Sequence, residues 1–128
     1  MRQLLGFAVV WAAVAGCAPD SPYGHPGAAT GSACTAGNNL TYDNFGRAFM
    51  DSYCVACHGS ESSPYKTDPK ASMFDFRALE GVQPNLAHID VSAAAGPFAV
   101  NTYMPTTPPF PTEDERRKLG TWLACGAP

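Results

Sequence analysis

The sequence predicts an all-α fold, small and rich in loops, and three observations carry that expectation. Apolar residues recur at helical spacing in two well-marked segments, one before residue 58 and one at the C-terminus. Two shorter helical patterns lie between them, and no pair of alternating strands is present. Twelve prolines and twelve glycines in 128 residues leave little room for long regular elements. One domain of about a hundred residues is expected, with a core small enough that a disulfide or a bound group would help it. The net charge of −3 comes without a basic run, which argues against nucleic acid as a partner.

Residues 1–16 read as a targeting segment. In "MRQLLGFAVVWAAVAGC", Arg2 precedes an apolar run from Leu4 to Ala15, and small residues precede Cys17. The run falls short of the roughly 20 apolar residues of a bilayer span. Val14-Ala15-Gly16-Cys17 resembles the lipobox of bacterial lipoproteins, which implies cleavage before Cys17 and lipidation of that cysteine. An ordinary signal peptide cut after Ala13-Val14-Ala15 fits as well. Both readings put the mature chain outside the cytoplasm, at the periplasmic or outer face, and the first also gives it a membrane anchor. Residues 17–39, rich in Pro, Gly, Ser and Asn, are expected to be a flexible tether, and His25 within them a solvated histidine.

The domain proper is expected over 40–128. "LTYDNFGRAFMDSYCVACH" reads as an amphipathic helix capped by Thr41 or Asp43, with Phe45, Phe49 or Met50, and Tyr53 on one stripe. Gly46 inside it costs about 1 kcal/mol against Ala, which a close approach of another helix or a bound group would explain. After a polar loop, two turns of helix are expected from Ala71 to Leu79, started by Asp68-Pro69. Pro84 opens another short helix that Gly96 ends. "PFAVNTYMPTTPPFP" is too rich in proline for a helix or central strand. The last helix is signalled by a Thr112/Glu115 capping box, acidic residues in its first turn, and basic Arg116, Arg117 and Lys118 after them. Its buried face is Leu119, Trp122 and Leu123, and Gly126 follows its end.

Five cysteines are present: Cys17, Cys34, Cys54, Cys57 and Cys125. Cys54 and Cys57 belong to "CVACH". On a helix, residues at i, i+3 and i+4 share a face, so both thiols and His58 lie together. That run is a signal for covalent haem attachment, two thioethers to the porphyrin and an imidazole to the iron. A dithiol oxidoreductase would place the motif after a strand within βαβ surroundings, and none is evident. A zinc site needs four ligands, and His25 and His88 are isolated in the sequence. With Cys17 lipidated and Cys54 and Cys57 on the haem, Cys34 and Cys125 remain as a disulfide pair. It would close a loop of about 90 residues, which loop-closure entropy values at roughly 4 kcal/mol.

A second axial ligand must come from Met50, Met73, Met104 or His88. Met104 is favoured, because it follows His58 by about 45 residues in a loop stiffened by Pro105, Pro108, Pro109 and Pro111. Met50 is expected to pack within its helix, and Met73 lies beside a polar loop. His88 would give a bis-histidine iron of lower potential.

"FGRAFMDSYCVACHGS" followed by "NTYMPTTPPFPTEDERRKLGTWLACGAP" resembles a class I type monohaem cytochrome c domain, over about residues 40–128. The resemblance implies N- and C-terminal helices crossing near one covalently bound haem c, with short helices and loops between. Carried over by position, it makes Cys54 and Cys57 the thioether attachments, His58 the proximal iron ligand and Met104 the distal one. Phe45 and Trp122 would line the helix contact or the haem pocket, or simply pack the core. Tyr65, Lys66 and Arg77 are polar candidates near the propionates. The implied function is one-electron transfer between redox partner proteins, with no small-molecule substrate and no catalysis by the chain itself. A subunit passing electrons within a larger dehydrogenase or oxidase complex is an alternative, as is a haem sensor or gas-binding protein with a labile distal ligand.

Overall fold

Thr41 starts the first helical segment with a reciprocal cap: its hydroxyl accepts the Asn44 N–H, and the Asn44 side chain accepts the Thr41 N–H. The computed structural model describes residues 27–59 and 74–128. The first turn, Tyr42–Gly46, is wide, of π type, and leads into α1 (Arg47–Tyr53). A kink at Cys54 separates α1 from α2 (Val55–His58), yet the Cys54 N–H still reaches the Met50 carbonyl and the His58 N–H the Cys54 carbonyl. The helical path expected as one element is therefore bent rather than interrupted.

α3 (Leu79–Val82), a 3₁₀ turn (Gln83–Asn85) and α4 (Leu86–Ala93) follow. The helix expected from Ala71 to Leu79 is not formed over residues 75–78, and residues 71–73 lie outside the described part. Two competing bonds account for this. The Phe76 N–H goes to the His58 carbonyl, and the Asp75 carboxylate accepts the Arg77 N–H and holds its guanidinium. α4 stops at Ala93, before Gly96, because Ala94 is extended and the chain turns into a single antiparallel bridge between Ala95 and Val100. Among the described residues there is no strand, so the described fold is helical as the sequence predicts.

α5 (Glu113–Ala124) begins on the Thr112/Glu115 capping box. Leu119, Trp122 and Leu123 are buried, and Gly126 has the positive φ of 86° suited to a glycine beyond a helix end. The first and last helical segments meet at Trp122. Its ring stacks on Tyr42 at 6.5 Å and meets Phe45 edge-on at 6.0 Å. Gly46 faces the same ring: a Cβ there would fall 2.4 Å from the indole. The glycine thus serves the helix contact, and Phe45, Phe49 and Tyr53 continue the stripe at 5.6 and 4.9 Å. Tyr53 closes the seam with a 2.9 Å hydrogen bond to Glu115. Met50 is fully buried in this core.

The packed chain begins earlier than residue 40. Residues 27–39, expected as part of the tether, lie against α4 and α5. Thr30, almost wholly buried, donates its N–H and hydroxyl to the two Asp90 oxygens at 2.9 and 2.6 Å. The Gly27 N–H reaches the Val91 carbonyl, and the Phe98 N–H the Thr30 carbonyl. Small residues let this strap sit close, for a Cβ on Gly96 or Gly120 would meet Ser32 within 2.5 Å. The strap ends at Cys34, whose sulfur stands 2.05 Å from that of Cys125, at disulfide distance. Residues 1–26, with the targeting segment, Cys17 and His25, lie outside the described part.

The Gly46 contact gives a direct test. Ala at this position gains about 1 kcal/mol of helix propensity, but the indole cannot yield without disturbing a fully buried ring, and overpacking costs about 1–3 kcal/mol. Gly46→Ala is expected to be destabilising by about 1 kcal/mol in denaturant unfolding, and Gly46→Val by more. Equal or greater stability of Gly46→Ala would show that the seam has slack.

Candidate functional site

Cys54, Cys57, His58 and Met104 line one cavity, which takes in about 670 Å³ of space, part of it open to solvent. The bend at Cys54 and the short α2 put the first three on its wall, one helical turn apart. The proline-rich segment brings Met104 to it with Pro105 and Thr106. Phe76, Ile89 and Ala93 supply apolar wall, and Tyr53, His88 and Ser92 complete it. Such a lining suits a largely apolar organic group fixed by few polar contacts. His88, the alternative ligand, shares the cavity; its ring packs 4.8 Å from Phe74, which also touches His58 at 6.2 Å.

The His58 imidazole is held from several sides. Its ring packs on Phe76 at 5.0 Å, and a hydrogen bond to the Phe74 backbone fixes its orientation. Burial, followed by the nearby His88, moves its pKa below the ordinary value despite that bond. His58 is therefore neutral at pH 7, with one ring nitrogen able to act as ligand. Burial lowers His88 in the same direction.

The two thiols differ. Cys57 is exposed, whereas Cys54 is half-buried as a residue and desolvation pushes its thiol up to about 12, against a smaller opposing pull from Arg116. Ser92 adds a signature of its own. Among the described residues, its buried hydroxyl oxygen has no hydrogen-bond partner, and the residue lines this cavity. An orphaned donor on a largely apolar wall fits a site that receives a bound group.

Met104 is pinned by its backbone. Its N–H donates to the Ser92 carbonyl on α4 at 2.8 Å, and its carbonyl accepts from Arg116 on α5 at 2.8 Å. The same Arg116 nitrogen reaches the carbonyls of Ala93 at 2.7 Å and Asn101 at 2.8 Å. Arg116 is only 3% exposed, unlike its neighbours Arg117 and Lys118, which pair at the surface with Glu113 and Asp114. The helical pattern contains the signal for this: Arg116 precedes Leu119 and Leu123 by three and seven residues and so falls on the buried stripe.

Of the other candidates, Arg77 is bound at the surface to Asp75 at 2.8 Å, and Phe45 and Trp122 belong to the helix seam. Met73, Tyr65 and Lys66 lie outside the described residues. Among the described residues no three His, Cys, Asp or Glu side chains converge as a metal site; a haem iron asks the protein for only two axial ligands. No protein-family description, curated protein or solved structure matches the chain.

The contrast between the thiols can be measured in chain produced without any attached group. Iodoacetamide at pH 8 is expected to alkylate Cys57 well before Cys54, because thiolate is the reacting form and Cys54 has little of it. Peptide mass spectrometry over time reads the order directly, and equal rates would mean that Cys54 is not desolvated as placed.

Proposed function

We propose that the chain is an exported, lipid-anchored monohaem c-type cytochrome that carries single electrons between redox partner proteins. The observation that carries this reading is the convergence of Cys54, Cys57, His58 and Met104 on one largely apolar cavity. In it, Cys54 and Cys57 hold haem c by thioethers, His58 is the proximal iron ligand and Met104 the distal one. When bound, the group supplies a one-electron couple whose potential the thioether ligand raises relative to bis-histidine ligation.

The remaining work belongs to the chain. α2 sets the thiols and imidazole on one face, and Phe74 and Phe76 orient the ring. The apolar wall lowers the local dielectric, so neighbouring charges act strongly. A ligand held at both ends by rigid elements moves little between oxidation states, which suits electron transfer. Contact with partners would be small and transient. The segment carrying Met104 exposes Phe98 at 82% and Phe110 at 57%, residues of a type enriched in protein contacts. Cys17 would carry the lipid, and Cys34–Cys125 would fasten the strap to α5. In this reading the helices meeting at Trp122 are the crossing N- and C-terminal helices of a cytochrome c-like fold.

The test is an optical and resonance Raman spectrum of the exported protein beside Met104→Ala. One haem per chain is expected, retained on acid–acetone extraction. A thioether-to-ferric-iron band in the far red should be present in the wild type and lost in the variant. Haem that extracts freely would overturn the covalent assignment. A band that survives in Met104→Ala would move the distal ligand elsewhere, and its absence from both proteins, with a bis-histidine spectrum, would point to His88.

A further inference from the structure

We propose that Arg116 is the positioning residue for the distal ligand: its buried guanidinium holds the Met104 segment against α4 and places an uncompensated positive charge beside the cavity, favouring the reduced form of the bound haem. This inference rests on the His58/Met104 haem reading above.

The geometry is unusual for an arginine in the first turns of an acidic helix. One terminal nitrogen reaches the carbonyls of Ala93, Asn101 and Met104 within 2.7–2.8 Å. These come from the end of α4, the turn beyond the Ala95–Val100 bridge, and the ligand itself. The Arg116 carbonyl in turn accepts the Ala95 N–H at 2.9 Å. The Asn101 side chain extends the web by donating to the Ala28 and Asp90 carbonyls, both at 2.8 Å. Removing the guanidinium leaves three inward carbonyls short of a donor, and Met104 is then held through its N–H alone.

Backbone carbonyls solvate a cation but do not neutralise it, and among the described residues no carboxylate pairs with Arg116. Its bonds to the carbonyls of Ala93 and Met104, two residues that line the cavity, put that charge next to it. Reduction of a haem iron removes one unit of positive charge, so a fixed cation nearby disfavours the ferric state and raises the potential.

The experiment uses the full haem-loaded protein with Arg116→Gln, Arg116→Lys and, as a surface control, Arg117→Gln. Three quantities are read: the far-red thioether band, the imidazole concentration that displaces half of the methionine from ferric iron, and the reduction potential. For Arg116→Gln, displacement should need about tenfold less imidazole or lower still, and the potential should fall. Arg116→Lys keeps the charge on a shorter arm that cannot reach all three carbonyls, so its potential should stay nearer the wild type while displacement becomes easier. Arg117→Gln should change neither. If Arg116→Gln fails to assemble, Arg116→Lys decides alone by the displacement measurement. Wild-type displacement and potential in the Arg116 variants would overturn the inference and leave the haem reading intact. A wild-type protein without the thioether band would sink both.

Discussion

The architecture around the cavity depends on one buried cation. Taking a guanidinium out of water costs several kcal/mol unless it is compensated, and at Arg116 one terminal nitrogen is shared among three backbone carbonyls rather than paired with a carboxylate. Carbonyls are available only where backbone has left regular structure. The end of α4 at Ala93, the turn at Asn101 and the loop at Met104 provide them. The loop is therefore not an unstructured connection but the inner lining of a cation site, and its course is set by where those oxygens must point. Charge-assisted bonds of this kind contribute about 1.5–3 kcal/mol each, large for a domain with a small core.

The other end of α5 is organised by apolar contact. Trp122 is fully buried between Tyr42, Phe45 and Gly46, so the first helical turn and the last share one ring. Backbone reinforces this seam, because the Tyr42 N–H donates to the Pro128 carbonyl at 2.6 Å. α5 thus carries two tasks: Arg116 reaches the Met104 loop and the end of α4, and Trp122 packs against the first helical segment. A shift of α5 along its axis would break both sets of contacts, which ties the position of Met104 to the position of the helix bearing Cys54, Cys57 and His58.

Much of this was legible in residue order. The Thr112/Glu115 cap, the Phe45–Phe49–Tyr53 stripe and the sharing of one face by Cys54, Cys57 and His58 follow from local spacing, and local spacing sets local hydrogen bonds. Gly46 was readable as a close approach, though not as an approach to Trp122. What could not be read depends on contacts between residues distant in sequence. Thr30 looks like linker composition until Asp90, sixty positions on, accepts both its donors. The helix expected through residues 75–78 loses to a bond from Phe76 to His58. Arg116 stands in a basic triplet whose other members are at the surface, and the partners that bury it are backbone atoms, which have no sequence signature.

The strap clarifies why so loop-rich a chain can hold a cavity open on one side. Few long helices are available, so the walls cannot be braced by extended helix packing. Bracing comes from cross-links between irregular segments: Thr30 to Asp90, Asn101 to Ala28, Arg116 to the Met104 loop, and the Cys34–Cys125 pair 91 residues apart. Each ties down a segment outside the long helices, and three of the four tie it directly to α4, α5 or the α5 end. The face with Cys54, Cys57 and His58 is left to a bend, a short helix and three aromatic rings. A site built this way has one wall fixed by polar cross-links and another fixed by apolar packing. An organic group bonded to the second wall and contacting the first would complete the packing between them, coupling its binding to the stability of the fold.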